Sequence, residues 1–98
     1  MPTYEWLASF ERDLKRLSDD ERDLFQEAIT KFVEDLTLKR GRFRKGLRVK
    51  GVQSADGIFE LTWANDGRAT FQYGDPRLDG EAHVIWRRVG GHDIFETP

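Results

Sequence analysis

The sequence predicts an α+β fold: two N-terminal helices packed on one face of a mostly antiparallel sheet, in the order β-α-α-β-β-β-β. Three observations lead there. Apolar residues recur at helical spacing as far as Leu36 and at strand spacing from Leu47 onward. Ser18-Asp19-Asp20-Glu21 forms a capping box that opens a long amphipathic segment. Asn65-Asp66-Gly67 separates two alternating segments, as a hairpin turn does. The 98 residues suffice for one domain, residues 1–98, around one core.

Tyr4-Glu5-Trp6-Leu7-Ala8 alternates weakly and predicts a short first strand. Ser9 is placed to cap a helix running through Leu17, with Phe10, Leu14 and Leu17 on one face. In the second helix Leu24, Phe25, Ala28, Ile29, Phe32, Val33 and Leu36 make a single apolar stripe. Lys39 and Arg40 then meet the negative end of the helix dipole, and Gly41 supplies a stop. Leu47-Arg48-Val49-Lys50 alternates apolar with basic and predicts the second strand. Ile58 to Trp63 predicts the third, with Phe59, Leu61 and Trp63 on one face; Ala69, Phe71 and Tyr73 mark the fourth. After a loop from Gly74 to Gly80, His83 to Val89 forms the last strand and ends at Gly90-Gly91. Its phase is ambiguous, because Val84, Ile85 and Trp86 are consecutive apolar residues. Trp6, Trp63 and Trp86 all fall within apolar periodicity and read as core.

The chain lacks cysteine, which excludes disulfides and thiolate metal sites. Its apolar runs are too short to span a bilayer, and its first residues have neither a basic nor an apolar leader, so the expected location is cytoplasmic. The net charge of −2 argues against indiscriminate coating of nucleic acid. Its distribution is more telling: residues 1–38 sum to −5, residues 39–50 to +7, and residues 51–98 to −4. Lys39, Arg40, Arg42, Arg44, Lys45, Arg48 and Lys50 thus form a dense cationic segment on an acidic chain, suited to a localised polyanion or an acidic partner.

Alternate strand residues point to opposite faces, so the apolar assignments also place the polar ones. The face away from the helices carries Arg48, Lys50, Glu60, Thr62, Arg68, Thr70 and Gln72, with either Arg87 or Arg88 according to the phase of the last strand. His92 follows close to the end of that strand. This set suits cleavage of an RNA phosphodiester by its neighbouring 2′-hydroxyl, which needs a base, an acid and cations for charge building on phosphorus. Glu60 or His92 would be the base and His92 the acid. Arg68, Arg87, Arg88 or Lys50 would stabilise charge, arginine forks being well matched to phosphate oxygens. A blander reading pairs Glu60 with Arg68 across neighbouring strands and gives His92 only a backbone hydrogen bond. From residue types alone the face binds phosphate and its enzyme status stays open. No cofactor is expected, and two histidines nine residues apart do not make a metal site.

Phe10-Glu11-Arg12-Asp13-Leu14-Lys15-Arg16-Leu17 resembles the opening helix of the RelE/ParE superfamily of toxins. The long second helix, Leu47-Arg48-Val49-Lys50, Gly57 to Trp63, and Val89-Gly90-Gly91-His92-Asp93-Ile94-Phe95 follow in the family's order. The resemblance implies a ribosome-dependent mRNA endoribonuclease that inhibits translation and is silenced by a cognate antitoxin, with no metal or small-molecule cofactor. It implies chemistry on the open sheet face and the C-terminal tail. Lys50 matches a basic catalytic or RNA-binding position, and His92 matches a position held by histidine or arginine. Lys39, Arg40, Arg42, Arg44, Lys45 and Arg48 would contact RNA, with Phe95 stacking. Glu60 stands where many relatives carry arginine, for which Arg68 is the nearest substitute, and Phe95 stands near a frequent tyrosine. The alternatives are a ParE-like gyrase inhibitor and an inactive antitoxin-binding protein.

Overall fold

The computed structural model describes residues 2–40 and 42–98. The elements run β1 (Thr3–Trp6), α1 (Ala8–Arg16), α2 (Asp19–Leu38), β2 (Lys50–Gly51), β3 (Phe59–Thr62), β4 (Arg68–Gly74) and β5 (His83–Gly90). Short 3₁₀ segments occupy Lys45–Leu47 and His92–Glu96. The strands form one sheet in the order β1-β5-β4-β3-β2, antiparallel except for β1 beside β5. The α+β class and the element order are those the sequence predicts.

Helix α2 opens as expected, because the capping box satisfies backbone groups that the first turn cannot. Ser18 Oγ accepts the Glu21 amide at 3.1 Å, and the Ser18 amide donates to Glu21 Oε1 at 2.8 Å. The stripe then buries Phe25, Ala28, Phe32 and Leu36, while Leu24 is 45% exposed. Phe32 sits at the centre, its ring 4.8 Å from Phe43, 5.0 Å from Phe71 and 5.3 Å from Trp86. Trp63 and Trp86 are core residues. Trp6 is not: it lies half exposed on the edge strand β1, stacked on Tyr4.

Ser9 does not cap α1. The N-cap is Leu7, without a side-chain bond, and Ser9 Oγ instead donates to the Arg87 carbonyl at 2.8 Å. The reason is positional. Strand β1 ends at Trp6, the Leu7 amide still donates to the Trp86 carbonyl, and α1 then runs beside the edge of β5. One turn after Ser9, Asp13 accepts the Val89 amide at 3.1 Å and Arg88 Nε at 2.6 Å. Side chains of α1 thus continue the edge pairing where the strand stops.

Beyond α2, the Lys39 amide closes on the Asp35 carbonyl and Arg40 adopts a left-handed backbone with φ +53°. A residue with a Cβ held there costs roughly 1–2 kcal/mol. The stop expected at Gly41 lies outside the described residues. Arg44 folds the chain back onto α2: its amide, Nε and Nη2 all donate to the fully buried Asp35 carboxylate, at 2.9, 2.9 and 2.8 Å. These bonds hold the Asp35 carboxyl well below the usual carboxylate range.

The strand expected over residues 47–50 is shorter than its alternation implies. A 3₁₀ turn drops Leu47 into the core, and Arg48 takes a left-handed conformation at φ +49°, leaving only Lys50 and Gly51 to pair. The phase of β5 is settled by a bulge. Phe71 faces Trp86 and Thr70 faces Arg88, so Arg87 is an extra residue in the ladder.

Candidate functional site

The register of the sheet sets out the polar face in rows. Lys50, Glu60, Thr70 and Arg88 stand opposite one another across β2, β3, β4 and β5, and Thr62 stands opposite Arg68 in the next row. The 3₁₀ segment after β5 brings His92 and Phe95 over this surface. The result is an open groove of about 530 Å³ lined by Arg48, Val49, Lys50, Glu60, Thr62, Arg68, His92 and Phe95. Residues from four separate stretches, with sequence numbers from 48 to 95, meet there.

His92 is oriented by a residue the sequence reading assigned only to a turn. His92 Nδ1 is hydrogen-bonded to Asp66 Oδ1. An ionised carboxylate only accepts, so Nδ1 is the donor in this bond, and in the neutral ring Nε2 is the nitrogen left to accept a proton. The His92 hydrogen bond also holds the Asp66 carboxyl below its ordinary value. Asp66 belongs to the loop between β3 and β4, which the Trp63 amide closes on the Gly67 carbonyl at 3.1 Å. Gly91 makes room for the pair, since a Cβ there would collide with the Asp66 carboxylate. The His92 and Phe95 rings meet edge-on, 5.9 Å apart.

The other groove residues differ in how freely their charge can act. Lys50 is exposed, and its ammonium lies 3.9 Å from Glu60 Oε1. Glu60 therefore pairs with Lys50; its register partner on β4 is Thr70, with Arg68 in the neighbouring row. Arg68 is buried, and Nη1 donates to the carbonyls of Ala64, Asn65 and Gly67 at 3.2, 3.2 and 2.9 Å. It braces the turn that presents Asp66 and has no carboxylate partner among the described residues.

Arg87 and Arg88 lie outside the groove. Arg87 Nε donates to Pro98 O at 3.1 Å and its Nη1 to Gln72 Oε1. Arg88 is paired with Asp13 and donates to the Thr97 carbonyl at 2.9 Å, so the two arginines hold down the tail that carries His92 and Phe95. Of the cationic segment, Arg44 is spent on Asp35 and on Glu34, and Lys39 Nζ lies 3.8 Å from Asp35. Arg40, Arg42, Lys45 and Arg48 are exposed, and Arg48 alone of these four lines the groove. No cluster of histidine and carboxylates with metal-binding geometry occurs among the described residues.

No protein-family model and no curated protein matches the sequence. Solved structures do. The toxin–antitoxin complex DinJ–YafQ from E. coli superposes with a TM-score of 0.64 at 14% identity, covering 94% of this chain and 93% of that one. The YoeB/ParE toxin from Agrobacterium tumefaciens gives 0.65 at 12% identity, covering 92% and 98%. A copper-bound mutant toxin from Helicobacter pylori gives 0.61 at 16% identity, covering 95% and 97%. The fold is the RelE-like toxin fold. In this chain the RelE-like sheet keeps its helices on one face and a histidine-bearing groove on the other, and no helix among the described residues is long and apolar enough to cross a membrane.

Proposed function

We infer that this chain is the toxin of a toxin–antitoxin pair and that it cleaves messenger RNA on the ribosome, without a metal, by attack of a 2′-hydroxyl on the adjacent phosphorus. The observation that carries the reading is the Asp66–His92 pair at the mouth of a cationic groove. His92 Nε2 takes the proton of the 2′-hydroxyl; the O2′–P bond forms and the P–O5′ bond breaks, leaving a cyclic phosphate and a 5′-hydroxyl. Asp66 holds the imidazole in the acceptor tautomer and stabilises the imidazolium that results. Arg48, Lys50 and Arg68 offset the charge on the phosphoryl oxygens, and Lys50 supplies the proton to O5′. Phe95 offers a ring on which a base stacks. The exposed Lys39, Arg40, Arg42 and Lys45 would dock ribosomal RNA. An antitoxin partner is supported by the likeness to a toxin solved with its antitoxin. A gyrase inhibitor of the same fold would leave the groove without a role.

The test is induced expression without antitoxin, followed by primer extension on abundant transcripts and a supercoiling assay. We expect cuts within translated regions that disappear when translation is blocked. His92→Gln should reduce them by about 10²–10⁴-fold while folding is kept. Undiminished growth arrest by that variant would remove His92 from the chemistry; intact transcripts with inhibited supercoiling would replace the nuclease by a gyrase poison.

A further inference from the structure

Away from the groove, Arg12 and Arg16 of α1 and Arg87 and Arg88 of β5 line a second depression of about 310 Å³, closed by Ser9, Thr97 and Pro98. Its single side-chain carboxylate, Asp13, is taken by Arg88. Arg12, Arg16 and Arg87 pair with no Asp or Glu side chain among the described residues; Arg87 donates to Gln72 Oε1 and Pro98 O. Like charges one helical turn apart repel, as Arg12 and Arg16 do. On a chain of net charge −2 this is a concentrated excess of positive charge.

We propose that this arginine pocket binds a backbone phosphate of the same RNA strand that enters the groove, a second anchor outside the cleavage site. The proposal rests on the RNA reading above and adds a site to it. Two features select the ligand. Guanidinium groups present paired donors matched to phosphate oxygens. The pocket is also joined to the groove by the tail: Phe95 lines one, Thr97 and Pro98 line the other. Two residues span at most about 7 Å, within about two nucleotide steps of a strand leaving the stacking ring. An acidic peptide would satisfy the charges but has no reason to share a wall with the groove.

The experiment measures binding by anisotropy for two labelled RNAs with a 2′-deoxy cut site, a trinucleotide and a longer strand containing it, across a salt series. Arg12→Ala with Arg16→Ala is the variant, both side chains being exposed on α1; an unchanged Tm confirms folding. For the longer strand the slope of log affinity against log salt should fall by about 1. The trinucleotide should bind as it does to wild type. Equal slopes for variant and wild type would overturn the pocket while leaving the groove reading intact. Equal weakening of both RNAs would also overturn it, since the arginines would then act only through the general field. RNA binding unchanged with loss of an acidic protein partner would hand the pocket to that partner. If the wild-type protein binds neither RNA, the pocket falls as an RNA anchor, while cleavage on the ribosome is decided separately by the primer extension above.

Discussion

At the scale of single residues, the polar face contains a buried group with no hydrogen-bond partner among the described residues. Thr70 is fully buried between Glu60 and Arg88 in its row, and its hydroxyl has no partner. A buried hydroxyl left unsatisfied costs on the order of 1–3 kcal/mol, and removing it without changing shape recovers part of that. Thr70→Val should therefore raise the unfolding free energy by about 1 kcal/mol in urea titration. A loss of stability would mean that the hydroxyl is bonded in solution. Arg68 shows the opposite case, a buried cation whose bonds to three turn carbonyls rigidify the loop that presents Asp66. Neither fact is visible in the sequence, where both residues read only as alternating polar positions.

At the scale of elements, α1 acts as a surrogate strand. Ser9 and Asp13 engage the Arg87 carbonyl and the Val89 amide, so the helix satisfies the stretch of β5 that β1 does not reach. Asp13→Ala would strand both the Val89 amide and the Arg88 guanidinium, and should cost about 3 kcal/mol in equilibrium unfolding. A cost under about 1 kcal/mol would show that the edge is held by packing instead. What was legible here followed from how local the signal is. The capping box and stripe of α2 involve neighbours in sequence and were readable, except that Leu24 of the stripe is exposed. The strand alternation on either side of the Asn65-Asp66-Gly67 turn gave the groove its floor, and with it Glu60 and Arg68. The role of Asp66 was hidden because it bonds a residue 26 positions away while already explained by its turn. Segment 47–50 misled because alternation is also produced by a tight turn that buries Leu47 and exposes Arg48.

At the scale of the molecule, distant parts of the chain are held together by carboxylates whose folded state favours ionisation. Glu5 is lowered by its hydrogen bond from His83, Asp35 by Arg44, and Asp66 by His92. A carboxylate with a depressed folded pKa contributes stability above its unfolded pKa, near 4, and that contribution is lost as pH falls toward the folded value. Global stability should thus decline below about pH 4. Asp35→Asn should be less stable than wild type at neutral pH, with the gap closing on acidification. A gap independent of pH would mean that the Asp35–Arg44 contact contributes shape and no charge.

The bulge in β5 has a meaning for how such a chain can change. Because Arg87 is surplus to the ladder, the inward positions Trp86 and Val89 stay in step with β4 whether or not it is present. In the language of insertions and deletions, it is a one-residue addition that leaves the core untouched while placing a second arginine against the tail. Losing that codon would close the ladder and spare the fold, yet slacken the tail that positions His92. The proposed cleavage could then be tuned by the length of a strand rather than by the identity of any residue in the groove.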